Sequence, residues 1–101
     1  MNKTTYEFSA RAYQDTSSKE VCSWTWVSLP KELSMVIREN YKYLEKGWGR
    51  MNITARLGKS EWQSAIWFDT KQDVYLLPIK AKIRKQENVM LGEDIKIIIL
   101  V

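Results

Sequence analysis

Short segments in which apolar and polar residues alternate recur along this chain of 101 residues, and they restrict it to a fold made mostly of β-strands. Successive side chains of a strand point to opposite faces, so a period of two predicts a strand with one buried face. The pattern predicts strands over residues 5–13, 21–28, 50–57, 61–68, 74–77 and 95–101, separated by polar turns. The faces predicted to be buried carry Tyr6, Phe8, Ala10 and Ala12 in the first strand and Met51, Ile53, Ala55 and Leu57 in the third.

A helix is predicted over residues 30–45. Pro30 suits the first turn of a helix, where its missing N–H costs nothing, and Gly47 suits the end. Apolar residues then recur at spacings of three and four, which is typical of an amphipathic helix. This stripe consists of Leu33, Val36, Ile37, Tyr41 and Leu44.

The segment after Leu77-Pro78 fits two structures. Ile79, Ala81 and Ile83 alternate with basic residues, as in a strand, but the same spacing also allows a short helix. A short internal repeat favours the helix. Residues 27–33 and residues 75–81 both have the pattern of the end of a strand, followed by Leu-Pro and a stretch compatible with a helix. Two such strand–helix–strand units are expected to close into one barrel and so hide their sheet edges.

Several motifs follow one another along nearly the whole chain: Trp26-Val27 before Leu29-Pro30 and Glu32, Lys46-Gly47-Trp48-Gly49, Trp62 with Ala65, Tyr75-Leu76-Leu77-Pro78 with Lys80, and Gly92 with Asp94. Together they resemble the bacterial family known as domain of unknown function 1905. The resemblance implies a small double-split β-barrel with a helix across one end. The pattern from Leu77-Pro78 through Arg84 to Asp94 also resembles half of an AbrB-like swapped-hairpin domain, a dimeric type that binds DNA. The family has no assigned activity, and a fold by itself does not fix a function.

The sequence therefore predicts a mainly β protein with one amphipathic helix. We expect a single domain over residues 1–101, a barrel of about six to seven strands built from two strand–helix–strand halves, and the family resemblance implies that it is of the double-split kind. Because both halves lie in one chain, we expect a monomer.

The aromatic residues have two interpretations. Trp24, Trp26, Trp62 and Trp67 are expected in the core, or alternatively in a wall on which a ring or a base stacks. Trp48, between two glycines, is expected nearest the surface. Cys22 is the only cysteine, and its apolar surroundings indicate a small buried hydrophobic residue.

Several chemistries are disfavoured by composition. The chain has no histidine, which removes the commonest general base and most zinc and iron sites, so we expect no metal and no cofactor. The carboxylates are scattered, and Gly47-Trp48-Gly49 lacks the rest of a phosphate-loop motif. With no apolar leader and no long apolar segment, a cytoplasmic protein without membrane contact is expected.

A basic cluster is the main candidate for a binding site. Lys80, Lys82, Arg84 and Lys85 lie within six residues of a chain whose net charge is +4. Such a cluster is either a solvated face or a surface for phosphate groups. Arg50, Arg56 and Trp48 are the other candidate ligand-binding residues.

The functional hypothesis that leads is a non-enzymatic binding module with an unknown ligand or partner. A nucleic acid or another anionic ligand, bound through the basic cluster, is the first alternative. A protein-interaction or structural domain is the second, and an enzyme with a cavity site that lacks histidine and metal is the third.

Overall fold

The computed structural model describes residues 4–15, 24–45 and 49–101, and within these ranges six antiparallel strands close into a barrel. The strands are β1 (Thr5–Asp15), β2 (Trp24–Ser28), β3 (Arg50–Leu57), β4 (Ser60–Asp69), β5 (Val74–Ile79) and β6 (Asp94–Leu100). The helices are α1 (Lys31–Tyr41), continued by one 3₁₀ turn (Lys42–Leu44), and the short α2 (Ala81–Gln86). The predicted mainly β barrel is confirmed, with six strands.

The barrel consists of two interleaved halves. Around its circumference the strands follow the order β1-β2-β5-β4-β3-β6. The first half is β1-β2-α1-β3 and the second is β4-β5-α2-β6. If each strand is exchanged for its counterpart in the other half (β1 with β4, β2 with β5, β3 with β6), every strand keeps the same type of neighbour. At one boundary between the halves, Val27 lies opposite Leu77. The predicted strand–helix–strand unit is therefore present twice, each time preceded by one further strand.

The inner faces of the strands supply the core. Both faces predicted to be buried are confirmed, because period-two alternation fixes which side chains share a face. The second half contributes Tyr75, Leu77 and Ile79 from β5 and Ile97 and Ile99 from β6. From β1 and β3 come Phe8, Ala12, Met51, Ile53, Ala55 and Leu57, with Tyr6 and Ala10 packed partly buried against them.

The prediction of core tryptophans is wrong for Trp26 and Trp67. In β2 the inward face carries Thr25 and Val27, and Trp26 is half-buried outside, packed edge-to-face against Trp67 at 6.0 Å between ring centroids. A barrel with so few strands has a narrow interior that β-branched side chains fill more readily than indoles. Among the tryptophan side chains that the structure describes, only Trp62 is buried. Cys22, Trp48 and the side chain of Trp24 lie outside the described residues.

The predicted face of α1 is partly wrong. Ile37 is buried as expected, but Val36 and Leu44 are 43% and 42% exposed. The second fully buried position is Ser34, whose Oγ accepts the backbone N–H of Tyr75 at 3.0 Å. A small polar residue at this position allows the helix to approach β5 and satisfies a buried backbone donor. The helix ends before Gly47, which lies outside the described residues.

The predicted helix after Leu77-Pro78 is confirmed, but it begins at Ala81 because β5 continues through Pro78. Proline has no N–H to donate, so it is disfavoured in a strand that is hydrogen-bonded to neighbours on both sides. Pro78 is tolerated because β5 pairs with β4 only as far as Leu76, and beyond that residue β2 is its one neighbour among the described strands.

Candidate functional site

The turn between β3 and β4 is fastened to α2. Gly58 has a φ of +60°, a left-handed conformation that glycine adopts without strain. The Ser60 hydroxyl donates to Glu87 Oε2 at 2.7 Å, just beyond the end of α2. A Cβ at Gly58 would lie 2.0 Å from Glu87 Oε1, so the carboxylate rests directly against the turn. These contacts hold Lys59 beside the basic segment of α2.

A basic pocket results at this end of the barrel. Its cavity of about 300 Å³ is bordered by Lys59, Lys80 and Lys82, together with Ser60, Glu61, Trp62, Ile83 and Gln86. We refer to Lys59, Lys80 and Lys82 with this cavity as the lysine pocket. Among the described residues, no carboxylate lies within 4.0 Å of these three ammonium groups. Two residues predicted from the sequence, Lys80 and Lys82, thus lie beside Lys59. Lys59 was not predicted, because it is distant in sequence from the basic cluster.

Other predicted binding residues lie outside this cavity. The guanidinium of Arg84 donates to Thr25 Oγ1 at 2.6 Å, and Arg56 forms an ion pair with Glu61. Lys85 is exposed on α2, and Arg50 is exposed at the opposite end of β3 from the turn. Trp48 lies outside the described residues.

Trp62 forms the apolar wall of the lysine pocket. It is only 8% exposed, and its indole N–H has no hydrogen-bond acceptor within the part of the chain that the structure describes. Buried donors without an acceptor are uncommon in folded proteins. As a lining side chain, Trp62 lies beside anything that enters the pocket.

The family model for the domain of unknown function DUF1905 matches residues 8–99. This chain belongs to the DUF1905 family. The match extends from within β1 to within β6, so it covers both halves of the barrel and the lysine pocket. The family predicted from the order of the Leu-Pro, glycine and tryptophan motifs is confirmed. No curated protein matches the chain.

Two features are absent from the described residues of this DUF1905 domain. No helix among them has the length and apolar character to cross a membrane. No cluster of three or more histidine, cysteine, aspartate or glutamate side chains in the same ranges is placed to hold a metal ion.

A second polar contact of the DUF1905 domain joins β5 to the segment after α1. Tyr75 is fully buried, packs edge-to-face on Phe68 at 5.1 Å between centroids, and donates its hydroxyl proton to Glu45 Oε1. Burial raises the pKa of the Tyr75 phenol above its usual value, and the hydrogen bond to Glu45 raises it further. The neutral phenol is therefore the form that the fold stabilises.

Tyr75→Phe is expected to lower the free energy of unfolding by about 1–2 kcal/mol at neutral pH, because the hydrogen bond to Glu45 is lost. A raised pKa in the folded state contributes stability below the unfolded pKa of about 10, and this contribution disappears as the pH rises further. Urea unfolding at about pH 7 and about pH 11 is expected to show the difference from wild type shrinking by about 1 kcal/mol. Tyr43→Phe, at a 78% exposed position, is the control. An equal difference at both pH values would contradict this assignment.

Proposed function

We propose that this DUF1905 domain is a non-enzymatic module that binds a phosphate-bearing ligand in the lysine pocket. The observation that carries the proposal is the convergence of Lys59, Lys80 and Lys82 on one cavity without a carboxylate partner in the described structure. Ammonium groups are compact point charges, and they bind phosphate without a fixed bonding geometry.

The charge around the cavity supports a dianion. Its border holds three ammonium groups and one carboxylate, Glu61, which is already paired with Arg56. The positive excess suits the two negative charges of a terminal phosphate better than a single carboxylate. Lys85, exposed on α2, extends the positive surface outward.

The remaining candidate residues are assigned lesser roles. Arg84 and Arg56 already bond to Thr25 and Glu61, so we propose that they contribute positive potential rather than direct contacts. Arg50 lies at the far end of β3 and is proposed to make no contact. Contacts limited to phosphate carry little sequence information, so a nucleic acid would be bound with weak sequence preference.

Replacing Lys80 and Lys82 together by alanine is expected to weaken binding of a labelled oligonucleotide by about tenfold or more, since each lost contact removes about 1 kcal/mol. The slope of log affinity against log salt is expected to fall by about 1.5, because two phosphate contacts disappear. Fluorescence anisotropy with single-stranded and duplex DNA and RNA, over a range of salt concentrations, measures both quantities.

Lys71→Ala combined with Lys96→Ala is the matched control, since it removes the same charge from exposed positions outside the pocket. Equal affinity in the Lys80/Lys82 variant and wild type, or an equal loss in the control, would overturn the proposal. Competition by inorganic phosphate or pyrophosphate, read as a loss of anisotropy of the labelled oligonucleotide, distinguishes a small phosphorylated ligand from a nucleic-acid backbone. Effective competition indicates a small phosphorylated ligand, and its absence beside saturable oligonucleotide binding indicates a nucleic-acid backbone.

A further inference from the structure

A second concave region lies between α1 and the turn that joins β4 to β5. Its main cavity of about 440 Å³ is lined by Lys31, Met35, Arg38, Phe68, Thr70 and Asp73. Two adjoining cavities, of about 380 and about 300 Å³, also border Arg38. We refer to the region around Arg38, Met35 and Phe68 as the α1 cleft. Its main cavity falls in the size range of small-molecule sites.

The guanidinium of Arg38 is held in position by the ring of Phe68. Its central carbon lies 3.6 Å from the centroid of the Phe68 ring, a stacked cation–π arrangement that fixes the guanidinium over the ring. Across the described residues, no oxygen accepts a hydrogen bond from this guanidinium and no carboxylate lies within 4.0 Å of it. A guanidinium held in this way, with no acceptor among the described residues, matches the two oxygens of a carboxylate.

The charge around the α1 cleft favours a ligand with a single negative charge. The three cavities are bordered by three cations, Lys31, Arg38 and Lys42, and by three anions, Glu39, Glu45 and Asp73. This balance contrasts with the positive excess of the lysine pocket. A monoanion that bonds to Arg38 is therefore favoured over a phosphate dianion.

The walls beside Arg38 are apolar. Met35 is 52% exposed, and Phe68 presents its ring to the same cavity. Thioether and aromatic side chains together form an adaptable surface for a flat apolar group. The cleft thus combines one oriented donor group with apolar walls.

We propose that the α1 cleft is a second binding site, specific for a small organic carboxylate with a flat apolar body. The carboxylate accepts hydrogen bonds from Arg38, and the apolar body covers Met35 and the exposed part of Phe68. This site shares only β4 with the lysine pocket and uses the opposite end of that strand, so it can be tested independently of phosphate binding.

The probe is 3-phenylpropionate, titrated into the ¹⁵N-labelled full chain and followed by two-dimensional NMR. Saturable shifts are expected in α1 and in the turn after β4, and none at the lysine pocket. The neutral 3-phenylpropanamide is expected to bind at least about tenfold more weakly, because the charged bidentate pair with Arg38 is lost. The dianion phenyl phosphate is also expected to bind more weakly, because the anions around the α1 cleft offset its cations.

Two variants and a control complete the test. Arg38→Gln is expected to weaken 3-phenylpropionate binding by about tenfold or more through loss of the charged pair. Met35→Glu, at an exposed position, is expected to weaken it through repulsion while Arg38 stays in place. Arg11→Gln removes a positive charge from an exposed site on β1 and is expected to change nothing. Equal affinity for the amide, undiminished binding by Arg38→Gln, or shifts that avoid α1 would overturn the proposal.

Discussion

Ala55→Asp is expected to leave the chain largely unfolded at neutral pH. Ala55 is fully buried on the inner face of β3, opposite Trp62 of β4 on one side and Ile99 of β6 on the other. An unpaired carboxylate in this position costs several kcal/mol. This is comparable to the free energy of unfolding of small domains, about 5–15 kcal/mol. Far-UV circular dichroism and urea unfolding measure the effect.

The matched control is Asn52→Asp, which introduces the same charge on the exposed outer face of the same strand. It is expected to change stability by less than about 0.5 kcal/mol. Because burial penalises only the charged form, the deficit of Ala55→Asp is expected to be smaller at about pH 5 than at about pH 8. Cooperative unfolding of Ala55→Asp at the urea midpoint of wild type would show that the register of β3 is wrong.

Leu77→Ala is expected to lower the free energy of unfolding by about 3 kcal/mol. Leu77 is fully buried in β5 opposite Val27, where the two halves of the barrel meet. Removing its side chain leaves a cavity between strands that cannot collapse, because the closed barrel fixes their spacing. The midpoint and the slope of a urea titration give this change, with the slope expected to stay constant.

Leu91→Ala provides the comparison, since Leu91 is 48% exposed in the turn before β6. It is expected to cost less than about 1 kcal/mol. A loss in Leu77→Ala no larger than in Leu91→Ala would mean that the contact between the two halves is not a part of the core.

Much of the barrel followed from the sequence because alternation is a local property. Met51, Ile53, Ala55 and Leu57 reveal their shared face without reference to any other strand. Alternation does not show which face of a strand points inward when both faces carry apolar residues. In β2 these are Trp26 on one face and Val27 on the other, and for this reason the prediction of Trp26 in the core is wrong. The width of the closed barrel decides that question, and the width depends on all six strands together.

The candidate site was only partly predictable for a similar reason. Lys80 and Lys82 are close in sequence, but Lys59 joins them only because Ser60 and Glu87 fasten a distant turn to α2. Glu61 pairs with Arg56, and Thr25 accepts a hydrogen bond from Arg84, only because the folded barrel brings these residues together. Nothing local connects Arg38 with Phe68, so the α1 cleft had no signature in the sequence.

The interleaving of the two halves has a consequence for how the chain acquires its structure. β3 borders only strands of the other half, and β6 must pair with both β1 and β3, bringing Thr5 beside Leu100. Neither half can therefore form a closed sheet alone. The chain loses most of its conformational entropy before it forms the strand pairs that compensate for this loss. Folding is expected to be slow for a chain of this size, and during synthesis the barrel remains open until β6 has left the ribosome.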